Sequence, residues 1–179
     1  MHEIETKILE IDPEEIKKKL EELGAEKVQD VMLRVDWFSL PQFLEQGHRW
    51  YLRLRSYSSG KNEITWKGKP EFTDAIRKVE EINVLVDDFD KTKNLFESLG
   101  LVCYAHQDKK RVSWKIGDVQ FDMDTYPGVP TYLEIEAGSE KEIKDMIKKM
   151  DLQKFELYSQ GERSLIQEKY KLDWQNMRF

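Results

Sequence analysis

The feature that most constrains the fold is a set of short segments in which charged and apolar residues alternate. In the first of them, Glu3, Glu5 and Lys7 alternate with Ile4 and Ile8. Because successive side chains of a β-strand point to opposite faces, each such segment predicts a strand with one charged and one apolar face. The other segments with this pattern are residues 49–55, 63–67, 77–86, 109–116, 119–124 and 132–136.

The composition of the charged face restricts how these strands assemble. An ordinary antiparallel sheet with one solvated face would explain the alternation, but such a face usually mixes Thr, Ser, Gln and Lys. Here Arg, Lys, Glu and Asp dominate in nearly every strand. Seven or eight strands can close into a barrel, which removes the sheet edges. We therefore expect an α+β fold: a closed eight-stranded antiparallel β-barrel with a charged lumen, flanked by helices on the outside.

Capping residues predict four helices outside the strands. Asp12 followed by Pro13 begins the first, and Gly24 ends it. The other three cover residues 88–100, starting from Asp88 or Asp90, residues 139–150 and residues 161–170. In the second helix the apolar face is expected to contain Leu95 and Leu99.

Length and composition exclude several classes of protein. The 179 residues fit one domain over residues 1–179. A net charge of −6 argues against duplex nucleic acid as a partner. The single cysteine, Cys103, excludes an internal disulfide framework and a cysteine-based zinc site. No apolar run reaches the ~20 residues of a membrane helix, and no signal layout opens the chain, so a soluble cytoplasmic protein without a membrane partner is expected.

A charged barrel interior also predicts a ligand. Buried charges are costly unless they are hydrated, paired or occupied. Excess cations favour a polyanion, and clustered carboxylates favour a hard divalent cation such as Mg²⁺. A complex of polyphosphate and metal satisfies both sets of charges.

Ordered motifs in the chain resemble the CYTH family, which includes class IV adenylyl cyclases and thiamine triphosphatases. The family's Glu-x-Glu-x-Lys motif is similar to residues 3–7, and its Arg-x-Arg strand to residues 52–55. The lysine strand resembles residues 65–68, and the basic strand resembles residues 109–111. The final acidic strands resemble residues 121–136. Asn83 departs from the family pattern, which has an acid at this position, so the roles of Asn83 and Glu81 stay open. The role of Asp124 stays open because Asp122 better matches the family spacing to Glu134.

The resemblance implies a role for each charged group. Lys7 would be the catalytic residue, orienting the attacking water or a phosphate. Mg²⁺ or Mn²⁺ would be the cofactor. The implied metal ligands are Glu3, Glu5, Asp122, Glu134 and Glu136, and the implied triphosphate-binding residues are Arg53, Arg55, Lys67, Arg77, Lys109 and Arg111. The structural alternatives are carboxylates that simply pair with lumen cations and a basic surface patch.

The implied function is an enzyme that acts on a small-molecule triphosphate: tripolyphosphate, ATP or thiamine triphosphate. Water as the nucleophile gives hydrolysis, whereas the ribose hydroxyl of ATP gives cyclic AMP and pyrophosphate. A module that binds nucleotide or polyphosphate without turnover is the third reading. A homodimer is expected only by family analogy.

The remaining aromatic and metal-ligating residues receive structural readings. Trp37, Trp50, Trp66 and Trp114 are expected to pack under helices. His48 and His106 are expected to be loop residues rather than ligands, and Cys103 a small buried residue.

Overall fold

The computed structural model describes residues 2–46 and 50–179. His48 and Arg49 therefore lie outside the described residues. The strands are β1 (His2–Ile8), β2 (Glu26–Ser39), β3 (Tyr51–Tyr57), β4 (Asn62–Lys67), β5 (Glu71–Thr73), β6 (Ile76–Val86), β7 (Val102–Ile116), β8 (Val119–Thr125), β9 (Tyr132–Ala137), β10 (Leu157–Tyr158) and β11 (Asn176–Met177). The helices are α1 (Pro13–Glu22), α2 (Pro41–Gln46), α3 (Phe89–Ser98), α4 (Glu140–Lys149) and α5 (Glu162–Ser164), which continues as a π-helical turn over Leu165–Lys169.

Eight strands close into an antiparallel barrel, which confirms the predicted α+β architecture. Their order is β1, β9, β8, β7, β2, β3, β4, β6, and β6 pairs back onto β1. Both edges of β1 are therefore hydrogen-bonded, and the barrel has no open seam. The short strands β5, β10 and β11 lie outside this closed path.

The strand register places the charged faces in the lumen. Glu5 lies opposite Glu136 of β9 and, on its other side, opposite Arg77 of β6. Residues directly opposite each other in a ladder share one face of the sheet. The charged positions of β1, β9 and β6 therefore point into the same interior, as the alternation predicts.

Strand β2 is the exception, because its inner face is apolar. Val35 lies opposite Arg55, and Trp37 lies opposite Arg53, so both face the lumen. Asp36, between them, points outward and is fully buried. Trp37 does pack with helical residues, Leu165 and Ile166, but it does so inside the barrel, since its position in the register turns it inward.

Helices cover part of the outer wall. Asp12 caps α1 by accepting a hydrogen bond from the Glu14 backbone N–H at 2.9 Å, and Ser139 caps α4, as predicted. Ile16 of α1 and Ile143 of α4 pack in one core with the outer faces of β1, β8 and β9. None of the helices in residues 2–46 and 50–179 has both the length and the hydropathy that a membrane-spanning helix requires.

Helix α3 and the β4–β6 wall differ from the prediction. Asp88 caps α3, but Leu95 and Leu99 are exposed, and Phe89 and Phe96 form the buried face. The helix uses a different stripe because those two rings pack on Phe38 and Leu54. On β6, Ile82 and Val84 are each 50% exposed, so the helices leave this outer wall uncovered.

The C-terminal segment packs against the inner face of β2. Leu165 and Ile166 are fully buried in a cluster with Val35 and Trp37. The Trp174 ring lies 5.2 Å from the Trp37 ring, and β11 then pairs in parallel with β7. This segment therefore fills the part of the interior that β2 leaves apolar.

Candidate functional site

A cavity of about 630 Å³ occupies the centre of the barrel. Its size is that of pockets that bind small molecules. Ten of the twelve charged residues named from the sequence line it, and Lys109 and Asp122 do not. The ten are Glu3, Glu5, Lys7, Arg53, Arg55, Lys67, Arg77, Arg111, Glu134 and Glu136.

The acidic cluster of Glu3, Glu5, Glu134 and Glu136 brings together carboxylates from β1 and β9. Burial, together with the neighbouring Glu3 and Glu134, raises the pKa of Glu136 to about 8. Burial raises the pKa of Glu3 to about 7, even though Lys67 contacts it. These carboxylates oppose one another's ionisation, so the cluster gains from any positive charge placed among them.

Glu136 is the least compensated member of the acidic cluster. No Lys, Arg or His among the described residues lies within 4.0 Å of its carboxylate. By contrast, Glu5 contacts Lys7 at 3.0 Å and Arg77 at 2.8 Å. Burial alone would raise the pKa of Glu5, but these cations and Lys67 hold it well below its ordinary value.

Lys7 is a fixed cation. Its ammonium group is 1% exposed and lies 3.0 Å from Glu5 and 3.1 Å from Glu134. Burial would lower the pKa of Lys7, but the two carboxylates raise it above its ordinary value. Lys7 therefore stays protonated near neutral pH, so it can donate hydrogen bonds but cannot act as a general base.

Most of the other cations are already held by carboxylates. Lys67 contacts Glu3 and, at 2.7 Å, Glu81. Arg55 contacts Glu63. These contacts fix where the cationic groups point, which preorganises them toward the cavity.

Arg53 is different. Its side chain is 8% exposed, and no carboxylate among the described residues lies within 4.0 Å of the guanidinium. The Nε–H has no hydrogen-bond partner there either, and the Trp37 ring lies 5.7 Å away. Burial would lower the pKa of Arg53, but Glu81 and Glu162 raise it at longer range. A guanidinium has the planar donor geometry that matches the oxygens of carboxylates and phosphates.

Lys109 and Asp122 do not line the cavity, because each forms ion pairs with other charged side chains. Lys109 is 1% exposed and lies 2.8 Å from both Asp124 and Glu162. Asp122 lies 2.6 Å from Arg111. We call Lys109, Asp124, Glu162 and Arg111 the Lys109 cluster. It joins β7, β8 and α5 through paired charges.

The structure adds functional candidates that sequence reasoning missed. Glu162 comes from the C-terminal segment, where the family resemblance is loose. Strand β2 has no charged inner face, so the alternation gives no sign that Trp37 lines the cavity. The other wall residues without an assigned role include Tyr51, Tyr57, Glu63 and Trp174. Glu63 was recognisable as part of a charged face, but only the register shows that it opposes Arg55.

The charges of the cavity wall balance. Its described residues include eight cations and eight carboxylates, so the formal charge is zero when all are ionised. A bare polyanion would gain little net attraction from such a wall. A polyanion that arrives with divalent cations can use the arginines while the metal satisfies the carboxylates. The cations are Lys7, Arg53, Arg55, Lys61, Lys67, Arg77, Arg111 and Arg163, and the acids are Glu3, Glu5, Glu63, Glu81, Glu134, Glu136, Glu162 and Glu168.

Comparison with known families agrees with this geometry. The model of the CYTH domain matches residues 1–168. The chain belongs to the CYTH family. CYTH proteins are metal-dependent triphosphatases or cyclases, which supports an enzymatic role. No curated protein matches the chain.

Solved structures share this fold. The PH1012 protein of Pyrococcus horikoshii OT3 is 26% identical with a TM-score of 0.72, covering 86% of this chain and 94% of its own. A Vibrio parahaemolyticus protein provisionally named an adenylate cyclase is 14% identical with a TM-score of 0.76, covering 93% and 98%. A Hippeastrum protein is described as an adenylyl cyclase candidate with a dominant triphosphatase activity. It is 16% identical with a TM-score of 0.70, covering 93% and 96%. The last two show likeness of fold alone.

Proposed function

We propose that this CYTH protein is a divalent-metal-dependent enzyme that hydrolyses a triphosphate, either tripolyphosphate or an organic or nucleoside triphosphate, inside the barrel. The observation that carries the proposal is that the cavity contains one cation and one carboxylate that lack contacting partners of opposite charge among the described residues. Arg53 offers a buried guanidinium without a contacting anion, and Glu136 offers a carboxylate without a contacting cation. Both line the same cavity, so a ligand that carries phosphates and a metal satisfies both.

The residues of the acidic cluster fit a divalent metal. Glu3, Glu5, Glu134 and Glu136 present only carboxylate oxygens, which are the donors that Mg²⁺ and Mn²⁺ prefer. Glu136 has room for a positive partner, since no side-chain cation contacts it. When bound, the metal supplies Lewis-acid polarisation and charge neutralisation at phosphate oxygens. Asp122 faces Arg111 instead, so we assign it to orienting that guanidinium.

Arginines would grip the phosphates. Arg53 has the most hydrogen-bonding capacity left, so we assign it the strongest phosphate contact. Arg55, Lys67, Arg77 and Arg111 line the same cavity, and acidic neighbours hold each of them in place. A guanidinium offers a planar fork that matches phosphate oxygens, whereas an ammonium acts as a point charge.

Lys7 would act by position. Because it is permanently protonated, it can donate to a phosphate oxygen or hold the oxygen of the attacking water. Proton removal from that water then falls to another group.

Cyclisation of ATP is the second candidate. Aromatic residues in the cavity wall support it, because they provide a surface on which a nucleoside can bind. Trp37, Tyr51 and Trp174 contribute to the wall beside Arg53 and offer an apolar surface for an organic group. The ribose hydroxyl would then attack the α-phosphorus and release pyrophosphate. A binding module without turnover is disfavoured, because holding an anion does not require the acidic cluster.

A product assay tests the proposal. The protein is incubated with tripolyphosphate, ATP or thiamine triphosphate, each with Mg²⁺ or Mn²⁺, and the products are identified by phosphorus NMR. Orthophosphate that disappears with a chelator supports hydrolysis, whereas cyclic AMP with pyrophosphate selects the cyclase. Glu136→Gln should nearly abolish product formation, whereas Glu22→Gln, on the exposed face of α1, should not change it. Tight binding of all three compounds without any product would overturn the enzymatic role.

A further inference from the structure

A second group of metal-ligating side chains lies on the outer wall, where β2 and β7 pair. Asp36, Cys103 and His106 place one ligand atom each within 4.8 Å of one another. The His106 Nδ1 atom lies 3.0 Å from Asp36 Oδ1 and 3.7 Å from Cys103 Sγ. None of these three residues lines the central cavity.

A β-bulge brings the three side chains to one face. Cys103 and His106 are three residues apart, so in a regular strand they would point to opposite sides. In β7, however, Ala105 pairs with Trp37 and Cys103 pairs with Phe38, which leaves Tyr104 as an extra residue. The bulge turns Cys103 outward beside His106, and His106 lies directly opposite Asp36.

We propose that Asp36, Cys103 and His106 form a binding site for a thiophilic divalent cation of the Zn²⁺ type, with a fourth position open to water. A tetrahedral zinc, with bonds of ~2.0 Å to nitrogen and oxygen and ~2.3 Å to sulfur, holds its ligand atoms roughly 3.3–3.6 Å apart. Two of the three separations, 3.0 Å from His106 Nδ1 to Asp36 Oδ1 and 3.7 Å from His106 Nδ1 to Cys103 Sγ, lie within a few tenths of an ångström of that requirement. All three ligand atoms lie within 4.8 Å of one another. The expectation that His106 is a loop residue is wrong, because it lies within β7, and Cys103 is only partly buried. A single cysteine excludes zinc sites built on several cysteines, whereas this set combines one cysteine with a histidine and an aspartate.

Three cations near Asp36 set the conditions for binding. Lys93 lies 3.1 Å, Arg34 3.5 Å and Arg178 3.9 Å from its carboxylate oxygens. All three side chains reach the surface, so they can withdraw into solvent, and Arg178 keeps a second partner in Asp108 at 2.6 Å. A metal ion must therefore compete with these cations for Asp36. This competition weakens the binding of ions that have little affinity for a sulfur ligand.

The sulfur makes the site selective. Cys103 Sγ is the one sulfur among the three ligand atoms, beside an imidazole nitrogen and a carboxylate oxygen. Metals with high affinity for thiolate, such as Zn²⁺ or Co²⁺, can displace a thiol proton, whereas Mg²⁺ prefers oxygen ligands. The outer site and the acidic cluster should therefore take different metals.

Titration with Co²⁺ tests the site on the full chain. Because Cys103 is the single cysteine, a thiolate-to-cobalt charge-transfer band in the near ultraviolet can come only from this position. We expect the band to saturate, to disappear on adding Zn²⁺ but not Mg²⁺, and to be lost in Cys103→Ser. Loss of an outer partner of a ligand already costs 10–100-fold in metal affinity, so His106→Gln and Asp36→Asn should weaken Co²⁺ binding at least tenfold. Glu136→Gln serves as the control and should leave the band unchanged.

Two outcomes would overturn the proposal. One is the absence of a charge-transfer band at millimolar Co²⁺. The other is a band that His106→Gln and Asp36→Asn leave unchanged, which would show a thiol that binds metal alone. If a variant fails to fold, the rate at which a thiol reagent modifies Cys103 in the unaltered protein gives an independent readout. Zn²⁺ should slow that modification and Mg²⁺ should not, and equal rates would refute the site. Neither measurement depends on enzymatic turnover in the central cavity.

Discussion

The acidic cluster and the Lys109 cluster both contain buried carboxylates, yet the pKa values of those carboxylates shift differently. In the acidic cluster, burial and like charges raise the pKa values of Glu3 and Glu136. In the Lys109 cluster, burial is outweighed by cations, and the pKa values of Asp124 and Glu162 are lowered. In the first cluster, no cation of the described residues contacts Glu136, whereas in the second both carboxylates contact Lys109. Buried charge alone therefore does not mark a ligand site, whereas buried charge that nearby groups fail to balance does.

The largest effect should come from breaking the paired cluster. Lys109→Met leaves Glu162 buried without its main partner, so we expect the free energy of unfolding to fall by about 3–5 kcal/mol. Urea denaturation measures this change. The control is Lys110→Met, whose exposed side chain on the same strand should change stability by less than ~0.5 kcal/mol. A similar small change for both variants would show that the Lys109 cluster does not hold the C-terminal segment.

The next effect should appear in activity. Glu136→Gln removes a carboxylate of the unbalanced cluster, and we expect turnover to fall by about 100-fold or more, equivalent to ~2.7 kcal/mol. The melting temperature should stay the same or rise, because repulsion with Glu3 is relieved. Turnover and thermal unfolding of the same sample measure both quantities. Loss of stability in proportion to loss of activity would contradict the contrast between the clusters.

Arg53 should affect ligand affinity specifically. Each hydrogen bond to a charged group is worth about 1.5–3 kcal/mol, so Arg53→Ala should weaken tripolyphosphate binding roughly 10–100-fold. Isothermal titration calorimetry in the presence of Mg²⁺ measures this. Arg34→Ala, on the outer wall, provides the matched control and should bind normally. Unchanged affinity in Arg53→Ala would remove this residue from the site.

The smallest effect is a dependence of stability on pH. The pKa of Glu162 is lowered in the folded protein, so its ionised form stabilises the fold above its unfolded pKa of about 4.3. That contribution is lost as the pH falls through the lower folded value. The difference in unfolding free energy between the unaltered protein and Glu162→Gln should thus be constant above about pH 5 and shrink toward pH 3. A difference that grows on acidification would reverse the assignment.

The sequence predicts the barrel and most of the site because alternation reports directly which face a side chain occupies. The prediction that Glu3, Glu5 and Lys7 share one face of β1 is confirmed by the pairings of β1 with β6 and β9. Strand β2 could not be interpreted in this way, since its inner face is apolar and Trp37 looks like a core residue. The exposure of Leu95 and Leu99 could not be predicted either, because it depends on which face of α3 packs against the barrel.

Which charges remain unbalanced was also beyond the sequence. Lys109 and Arg53 are both basic residues on strands in which charged and apolar residues alternate. Nothing in the neighbouring sequence shows that one is paired and the other is not. The difference arises because Glu162, which is 53 residues further along the chain, reaches Lys109. The bulge at Tyr104 is likewise visible only in the pairing of β7 with β2.

The closure of the barrel through β1 has a consequence for biosynthesis. The first strand pairs with β6, which begins at Ile76, and with β9, which begins at Tyr132. During translation, an amphipathic strand with two unmatched edges must wait until more than a hundred further residues have been made. Contacts of such long sequence separation slow folding and leave the nascent strand open to wrong pairing. Charged side chains on an unpaired strand disfavour pairing with another chain, and Glu3, Glu5 and Lys7 place such charges on β1.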